Sequence, residues 1–362
     1  LQGLATALEG EREKLVAWAD LETALGPVRL NGELDRTTFQ LRRFADIAAR
    51  GVPFEQVDDP AVAGAPPVGH PAMRLQRLPL GPVAMFAASN FPFAFSVLGG
   101  DTASALAAGC PVVVKAHSGH LHLSNRVFGL VQQVLRAQGL PSGLVGLIQG
   151  GGSDVGVRLV RHPAIAAGAF TGSTRGGAAL QAEASARPRP IPFYGELGSI
   201  NPVVALPPLL ATKGAELAAT LAGSITLGCG QFCTNPGTVV LIDGPESDAF
   251  VQQLVQALTP MVPHAMLTAG MRRAFERSLA SISVSSAGNR SPASIDSNCP
   301  TFIAAPRSCA SLSLTRIRLA GVNNKSLAFG LCPCASCLAP CTSTEPATRP
   351  AREIRPPKRA KG

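Results

Sequence analysis

The chain has 362 residues, 46% of them apolar and 15% charged, which is room for two domains and a large core. Its formal net charge is +9, yet residues 281–362 hold 11 Lys and Arg against 3 Asp and Glu, while the preceding 280 hold 21 against 20. The body is therefore electrically neutral, and a nucleic-acid binder spread over the whole chain is excluded.

The chain opens on Leu1 in sequence of mid-helix character, as a piece lacking its amino end would. In the first 50 residues, Leu15 with Trp18, and Leu41, Phe44, Ile47 and Ala48, recur at helical spacing, and Gly51 and Pro53 supply a stop. Residues 52–72 are a Pro/Gly/Ala-rich connection. The uncharged run 81–100 is long enough to raise a membrane span, but Asn90, Pro92, Gly99 and Gly100 argue for a buried strand, a loop and a helix start instead. No membrane partner is expected.

A regular alternation follows. Val83–Ala87 reads as a strand and Ser96–Ala108 as a helix. Val112–Val114 is a strand, and Leu121–Gln138 a helix closed by Gly139 and Pro141. Leu144–Ile148, Ile165–Phe170 and Ile191–Tyr194 are further strands, with helices at Asp154–Val160 and Gly176–Ser185. Strands alternating with helices through short connections give an α/β fold: a parallel sheet with helices on both faces. Ligands on such sheets bind outside the carboxyl ends of the strands. Asn90, Lys115, Gly150–Gly152 and Thr171–Ser173 fall there.

Past about Pro263 the pattern degrades. A helical piece, Met271–Leu279, continues the body; beyond it Ser, Ala, Arg, Pro and Cys dominate without amphipathic period, and an irregular tail is expected. The cysteines divide in the same way. Cys110, Cys229 and Cys233 lie in the body; Cys299, Cys309, Cys332, Cys334, Cys337 and Cys341 lie in the tail. With no leader read ahead of the body, the reducing cytoplasm is the expected location. The tail holds one CxxC, Cys334 to Cys337, without a second pair at zinc spacing, so no metal is expected. His117, His120 and His122 cluster in His-Ser-Gly-His-Leu-His and read as surface and helix-cap histidines. The closing basic run, 355–361, reads as solvated rather than as a nucleic-acid site.

The residues that could carry chemistry are few. Cys233 sits in the glycine-bounded loop Gly230-Gln231-Phe232-Cys233-Thr234-Asn235-Pro236-Gly237, ahead of the apolar run 238–242, where a thiolate could meet a substrate. Glu196, between Gly195 and Gly198, is either a turn residue or a base for activating water. Asn90 is either a turn asparagine or a side-chain N–H aimed at an oxyanion. Lys115 ends an apolar strand and is either solvated or in reach of a ribose or phosphate. Gly172 and Ser173 open a helix after a strand, as an ordinary turn or as a phosphate cradle.

Five pieces in order, Ser89-Asn90-Phe91-Pro92, Pro111–Lys115, Phe170-Thr171-Gly172-Ser173, Glu196–Pro202 and Gly230–Cys233, make the stretch from Leu1 to about Met271 resemble the aldehyde dehydrogenase superfamily. Gly195–Val203 and Cys229–Gly237 are most similar to its 2,5-dioxovalerate dehydrogenases and their NADP-linked relatives. The resemblance implies a cofactor domain over 1–205, with 62–80 part of an oligomerisation hairpin, a truncated catalytic domain over 206–280, and an aberrant tail over 281–362. It implies Cys233 as the nucleophile, Asn90 and the Cys233 N–H as the oxyanion site, and Glu196 as the base that hydrolyses a thioester. It assigns Lys115 to the adenosine ribose, and Gly172 and Ser173 to the pyrophosphate and nicotinamide region.

NAD-preferring relatives often carry a glutamate three residues after this lysine. Here Ser118 stands there, beside His117, so NADP is expected over NAD, with dual use as the alternative. The substrate implied is a small aldehyde, 2,5-dioxopentanoate or a similar semialdehyde, and the intact parent is expected to be a homo-oligomer. The family's later Glu-x-Phe-Gly-Pro motif is absent, and the tail reads like translation in a wrong frame. The alternative function is an inactive nucleotide-binding remnant.

Overall fold

A computed structural model describes residues 1–151, 153–262, 265–287, 301–304 and 311–317. All of them belong to one compact unit, Leu1–Leu319. The tail cysteines, the basic run at 355–361 and Gly152 of the glycine triplet lie outside the described residues.

Three helices come first: α1 (Gln2–Gly10), α2 (Arg12–Thr23) and α3 (Pro27–Ala49). Left-handed Ala24 ends α2, and Gly26, whose N–H donates to Asp20, sets Pro27 at the start of α3, where a missing N–H costs nothing. One face of α3 buries Leu30, Glu33, Leu34, Thr37, Thr38 and Leu41. A hairpin arm follows, with β1 (Gln56–Asp59) antiparallel to β2 (Met73–Gln76) and a bridge from Val62 to His70.

The first sheet has five parallel strands: β3 (Val83–Phe86), β4 (Val112–Lys115), β5 (Val145–Ile148), β6 (Ala167–Thr171) and β7 (Phe193–Glu196), in the order β5-β4-β3-β6-β7. The connecting helices are α4 (Gly100–Ala107), α5 (Leu121–Ala137), α6 (Asp154–Arg161) and α7 (Thr174–Ser185). The pleat of β3 divides the layers. Val83 and Met85 join a core with α1–α5, while Ala84 and Phe86 join one with Val160 of α6 and Leu180 of α7. Helix α5 buries Leu123, Val127, Val131 and Leu135, four residues apart, and the Glu22 carboxylate of α2 accepts its His122 and Leu123 N–H groups at 2.9 Å each.

Several boundaries shift by a few residues from the periodicity, and two of the shifts have a clear cause. Helix α4 starts at Gly100, not Ser96, because Ser96–Gly99 turns back under the preceding loop; a Cβ on Gly99 would stand 2.3 Å from the Ala94 carbonyl oxygen. Strand β7 runs to Glu196 instead of ending at Tyr194, since pairing of Phe170 with Gly195 and of Thr171 with Glu196 extends it.

The second sheet holds β8 (Pro202–Ala205), β9 (Thr238–Ile242), β10 (Thr301–Ala304) and β11 (Ser311–Ile317), in the order β10-β11-β9-β8. Strands β8, β9 and β11 are parallel; β10 is antiparallel to β11. Because β8 pairs with β9, the passage between the two sheets falls before Pro202. Helices α8 (Pro207–Thr226) and α9 (Pro245–Leu258) pack their Leu221, Ile225, Phe250 and Leu254 with Val239 and Leu241 of β9. Helix α10 (Ala269–Ala287) runs past Leu279, where the sequence pattern fades.

Candidate active site

The loops at the carboxyl ends of β3, β6 and β7 meet the Cys233 loop around one cleft of about 350 Å³. Asn90, Gly172, Ser173, Glu196 and Cys233 all line it. Each reaches it for a local reason. Asn90 ends the turn after the fully buried central strand β3. Glu196 is the last residue of β7, beside Thr171, and its carbonyl accepts the Gly172 N–H at 3.0 Å. Ser173 caps α7, its Oγ accepting the Gly176 N–H at 3.2 Å. A Cβ on Gly172 would press to 2.9 Å of the Phe170 ring, so a side chain there would force that ring to move.

The Cys233 loop follows α8 through Gly228, Cys229 and Gly230, all at positive φ. That reversal buries Cys229 and leaves Cys233 partly exposed at the cleft. Position in the loop, not chemistry, thus distinguishes the two thiols. Asn90 Nδ2 donates to the Gln231 carbonyl at 2.8 Å. A carboxamide nitrogen carries two N–H groups, so this bond leaves a second for a ligand. Gln231 in turn accepts the Leu267 N–H on its side chain at 3.0 Å, drawing the segment before α10 to the same place.

Asn201 is the other clasp. It sits at φ +47, a conformation asparagine tolerates, and its Nδ2 donates to the carbonyls of Cys233 at 2.6 Å and Asn235 at 3.0 Å. The Gly237 N–H returns a bond to the Ile200 carbonyl at 2.7 Å. The Glu196–Pro202 motif and the cysteine motif are thereby tied together over more than thirty residues. Sequence reading singled out neither Asn201 nor Gln231 for this role. The signal was an asparagine inside a Ser-Ile-Asn-Pro turn, which points to a capping side chain but not to its partner.

Lys115 ends β4, His117 and Ser118 follow it, and all three lie outside that cleft lining. Lys115 is half-buried, makes no ion pair among the described residues, and is held below its ordinary pKa by burial. His117 is pushed down to about 4, first by burial and then by His120 and Lys115. Its Nδ1 accepts the Gly119 N–H at 3.0 Å, which leaves Nε2 as the protonated nitrogen of a neutral ring. Ser118 is exposed.

The surface reading of the histidines fails at His120, which is fully buried. Its ring bonds the Ala88 carbonyl at 2.8 Å and Ser124 Oγ at 3.3 Å, because the cap of α5 lies under the loop after β3. His122 is exposed and stacks on Trp18. Among the described residues no group of three His, Cys, Asp or Glu could hold a metal ion, and no helix is long and apolar enough to cross a membrane.

A family model described as the aldehyde dehydrogenase family matches residues 1–268. The alpha-ketoglutaric semialdehyde dehydrogenase 2 of Azospirillum brasilense is 47% identical over 275 residues, covering 76% of this chain and 52% of its own length. The alpha-ketoglutaric semialdehyde dehydrogenase of Acinetobacter baylyi is 43% identical over 279 residues, covering 77% and 53%. The chain thus spans about half the length of these curated relatives. Among solved structures, apo betaine aldehyde dehydrogenase of Staphylococcus aureus superposes with a TM-score of 0.66 at 23% identity, over 78% of this chain and 55% of that one. A glyceraldehyde-3-phosphate dehydrogenase of Methanocaldococcus jannaschii complexed with NADP superposes with 0.65 at 17% identity, over 87% and 64%. At such identities the two superpositions speak to the fold alone.

Proposed function

The chain belongs to the aldehyde dehydrogenase family, and from that premise we propose that it carries the cofactor half and nucleophile loop of an NADP-using semialdehyde dehydrogenase. The observation that carries this is the convergence of Asn90, Glu196 and Cys233 on one cleft. In this reading the Cys233 sulfur adds to the aldehyde carbon, and the new oxyanion is held by the Asn90 carboxamide and the Cys233 N–H. Addition is required first, because hydride leaves the carbon readily only once negative charge stands on oxygen. A bound nicotinamide dinucleotide supplies the hydride acceptor. The resulting thioester at Cys233 is opened by water that Glu196 deprotonates, releasing the carboxylate and the thiol.

The residues present fit such a cofactor. Lys115 is a cation without an ion-pair partner among the described residues, Ser118 is an exposed hydroxyl, and Gly172 and Ser173 at the start of α7 line the cleft. A neutral His117 would add an N–H and no charge, so Lys115 supplies the positive charge that a 2′-phosphate needs. NADP over NAD follows from those groups and from the absence of a carboxylate at Ser118. The substrate, 2,5-dioxopentanoate or a similar semialdehyde, is carried over from what the two curated relatives are named for. Assembly of the intact parent through β1 and β2 is proposed on the exposed Val57, Met73 and Leu75 of that arm.

The test is a rapid-mixing measurement of reduced nicotinamide on adding the semialdehyde with NADP or NAD. The expected result is one burst per Cys233, absent in Cys233→Ser and kept in Glu196→Gln, which loses steady turnover by about a hundredfold. Cofactor binding without a burst in the unsubstituted chain would select the nucleotide-binding remnant instead. A burst that survives Cys233→Ser would overturn the role of this thiol, and a lower KM for NAD would overturn the cofactor preference.

A further inference from the structure

Helix α3 presents Arg29, Glu33 and Arg36 at i, i+4 and i+7, hence on one face. That face lies against the loop after β3. Glu33 is buried, and its Oε1 accepts the N–H groups of Phe93 at 2.7 Å and Ala94 at 2.9 Å. Its Oε2 has no hydrogen-bond partner among the described residues and stands 4.0 Å from Nη2 of Arg29. Nη2 of Arg29 donates to the backbone carbonyl of Asn90. The same guanidinium lies 4.4 Å from the ring centre of Phe232 and 5.1 Å from that of Phe91, and the two rings meet edge to face. Arg36 covers Phe95 at 5.2 Å on the solvent side.

Phe91, Phe95 and Phe232 all line the cleft, and Phe232 is the residue before Cys233. Arg29 therefore holds, with one planar group, the two chain segments that carry the reacting atoms. A buried ion pair adds little net stability over apolar side chains of the same volume, so packing alone gives no reason for it. Its directional bonds do. A guanidinium offers N–H groups in its plane and a face for an aromatic ring, and here it uses both.

We propose that Arg29, seated by Glu33, is a positioning residue that fixes the Asn90 loop against the Phe232–Cys233 peptide, so that the two oxyanion donors converge on one point. This rests on the aldehyde-oxidising reading of the cleft for its catalytic consequence, but not for its geometry. Arg29 touches no reacting atom. It acts through Asn90 and Phe232.

The experiment uses the full chain with Arg29→Met, which keeps the stem over Phe232 and removes the charge and the bond, and Arg29→Lys, which keeps the charge. One arm measures carboxamidomethylation of Cys233 by iodoacetamide, read by mass spectrometry without cofactor or aldehyde. The other measures the first-turnover rate and the KM for the aldehyde. In Arg29→Met the first turnover is expected to slow by about tenfold to a hundredfold while KM moves less than about threefold. Cys233 alkylation is expected to speed up by about threefold, with the Lys variant between the two.

If Arg29→Met melts early, Arg29→Met combined with Glu33→Gln removes both charges and should fold while keeping both kinetic changes. Unchanged alkylation and unchanged first turnover in a folded variant would overturn the proposal. So would a Lys variant as impaired as the Met variant in both arms. If the unsubstituted chain transfers no hydride, the aldehyde-oxidising reading fails, and the alkylation arm alone decides the clamp.

Discussion

The two sheets of this molecule are stabilised in different ways. In the first, β3 is covered on both faces, and each side of its pleat feeds a core that several helices share. In the second, α8, α9 and β9 make one smaller core, and Val204, Leu206, Leu209, Leu227 and Val255 stay exposed around it. The Cys233 loop belongs to the second, yet side chains of other segments hold it: Asn90 and Arg29 from the first half, and Asn201 from the strand-linking turn. Precision at the cleft therefore depends on polar clasps between the two halves more than on the packing beneath Cys233.

The sharpest break of that contrast is Phe250→Ala. Phe250 is fully buried in the smaller core, and the truncation should cost about 3–5 kcal/mol. Hydrogen exchange should then lose protection across β8 and β9 while Val83–Phe86 keeps it. Uniform loss in both sheets would mean that the chain unfolds as one unit and that the contrast is wrong. The next effect tests the first half by pH. His117 has a folded value of about 4 against an ordinary 6.5, so between these the unfolded chain binds more protons. Stability should fall by roughly 3 kcal/mol as pH drops from 6.5 to 4, and His117→Asn should flatten that slope in urea titrations. His120, held low chiefly by burial, adds to the fall in the same direction and remains in the variant.

The sequence made the first sheet legible for a physical reason. The inner strands read as apolar runs, and each of β3 to β6 is followed by a helix, so these four emerge strand by strand. The candidate residues at the strand ends were legible too, because Asn90, Glu196 and Cys233 sit among glycines and prolines that mark turns. What was not legible is the set of long-range contacts. Nothing local says that Glu33, an acid in a helix, turns inward to cap two N–H groups sixty residues away, or that Arg29 reaches Phe232. Helix periodicity places both on one face but does not name the loop against it. The depth of His120 was hidden for the same reason, since its cap position was readable and the loop lying over it was not.

Asn201 gives the smallest of these effects and the most direct test of the clasps. Its Nδ2 serves two carbonyls, one of them on Cys233 itself, and its backbone sits at φ +47. Asn201→Ala loses both bonds and strains the backbone; Asn201→Gly loses both bonds and relieves the strain. Alanine should therefore cost about 1–3 kcal/mol, and glycine less by about 1 kcal/mol. The two variants should nevertheless raise Cys233 alkylation by iodoacetamide to the same extent, because the clasp and not the backbone conformation orients that peptide. An alkylation rate that tracked stability, with glycine close to the unsubstituted chain, would show that the turn alone positions Cys233. Then the second half would stand on its own packing after all.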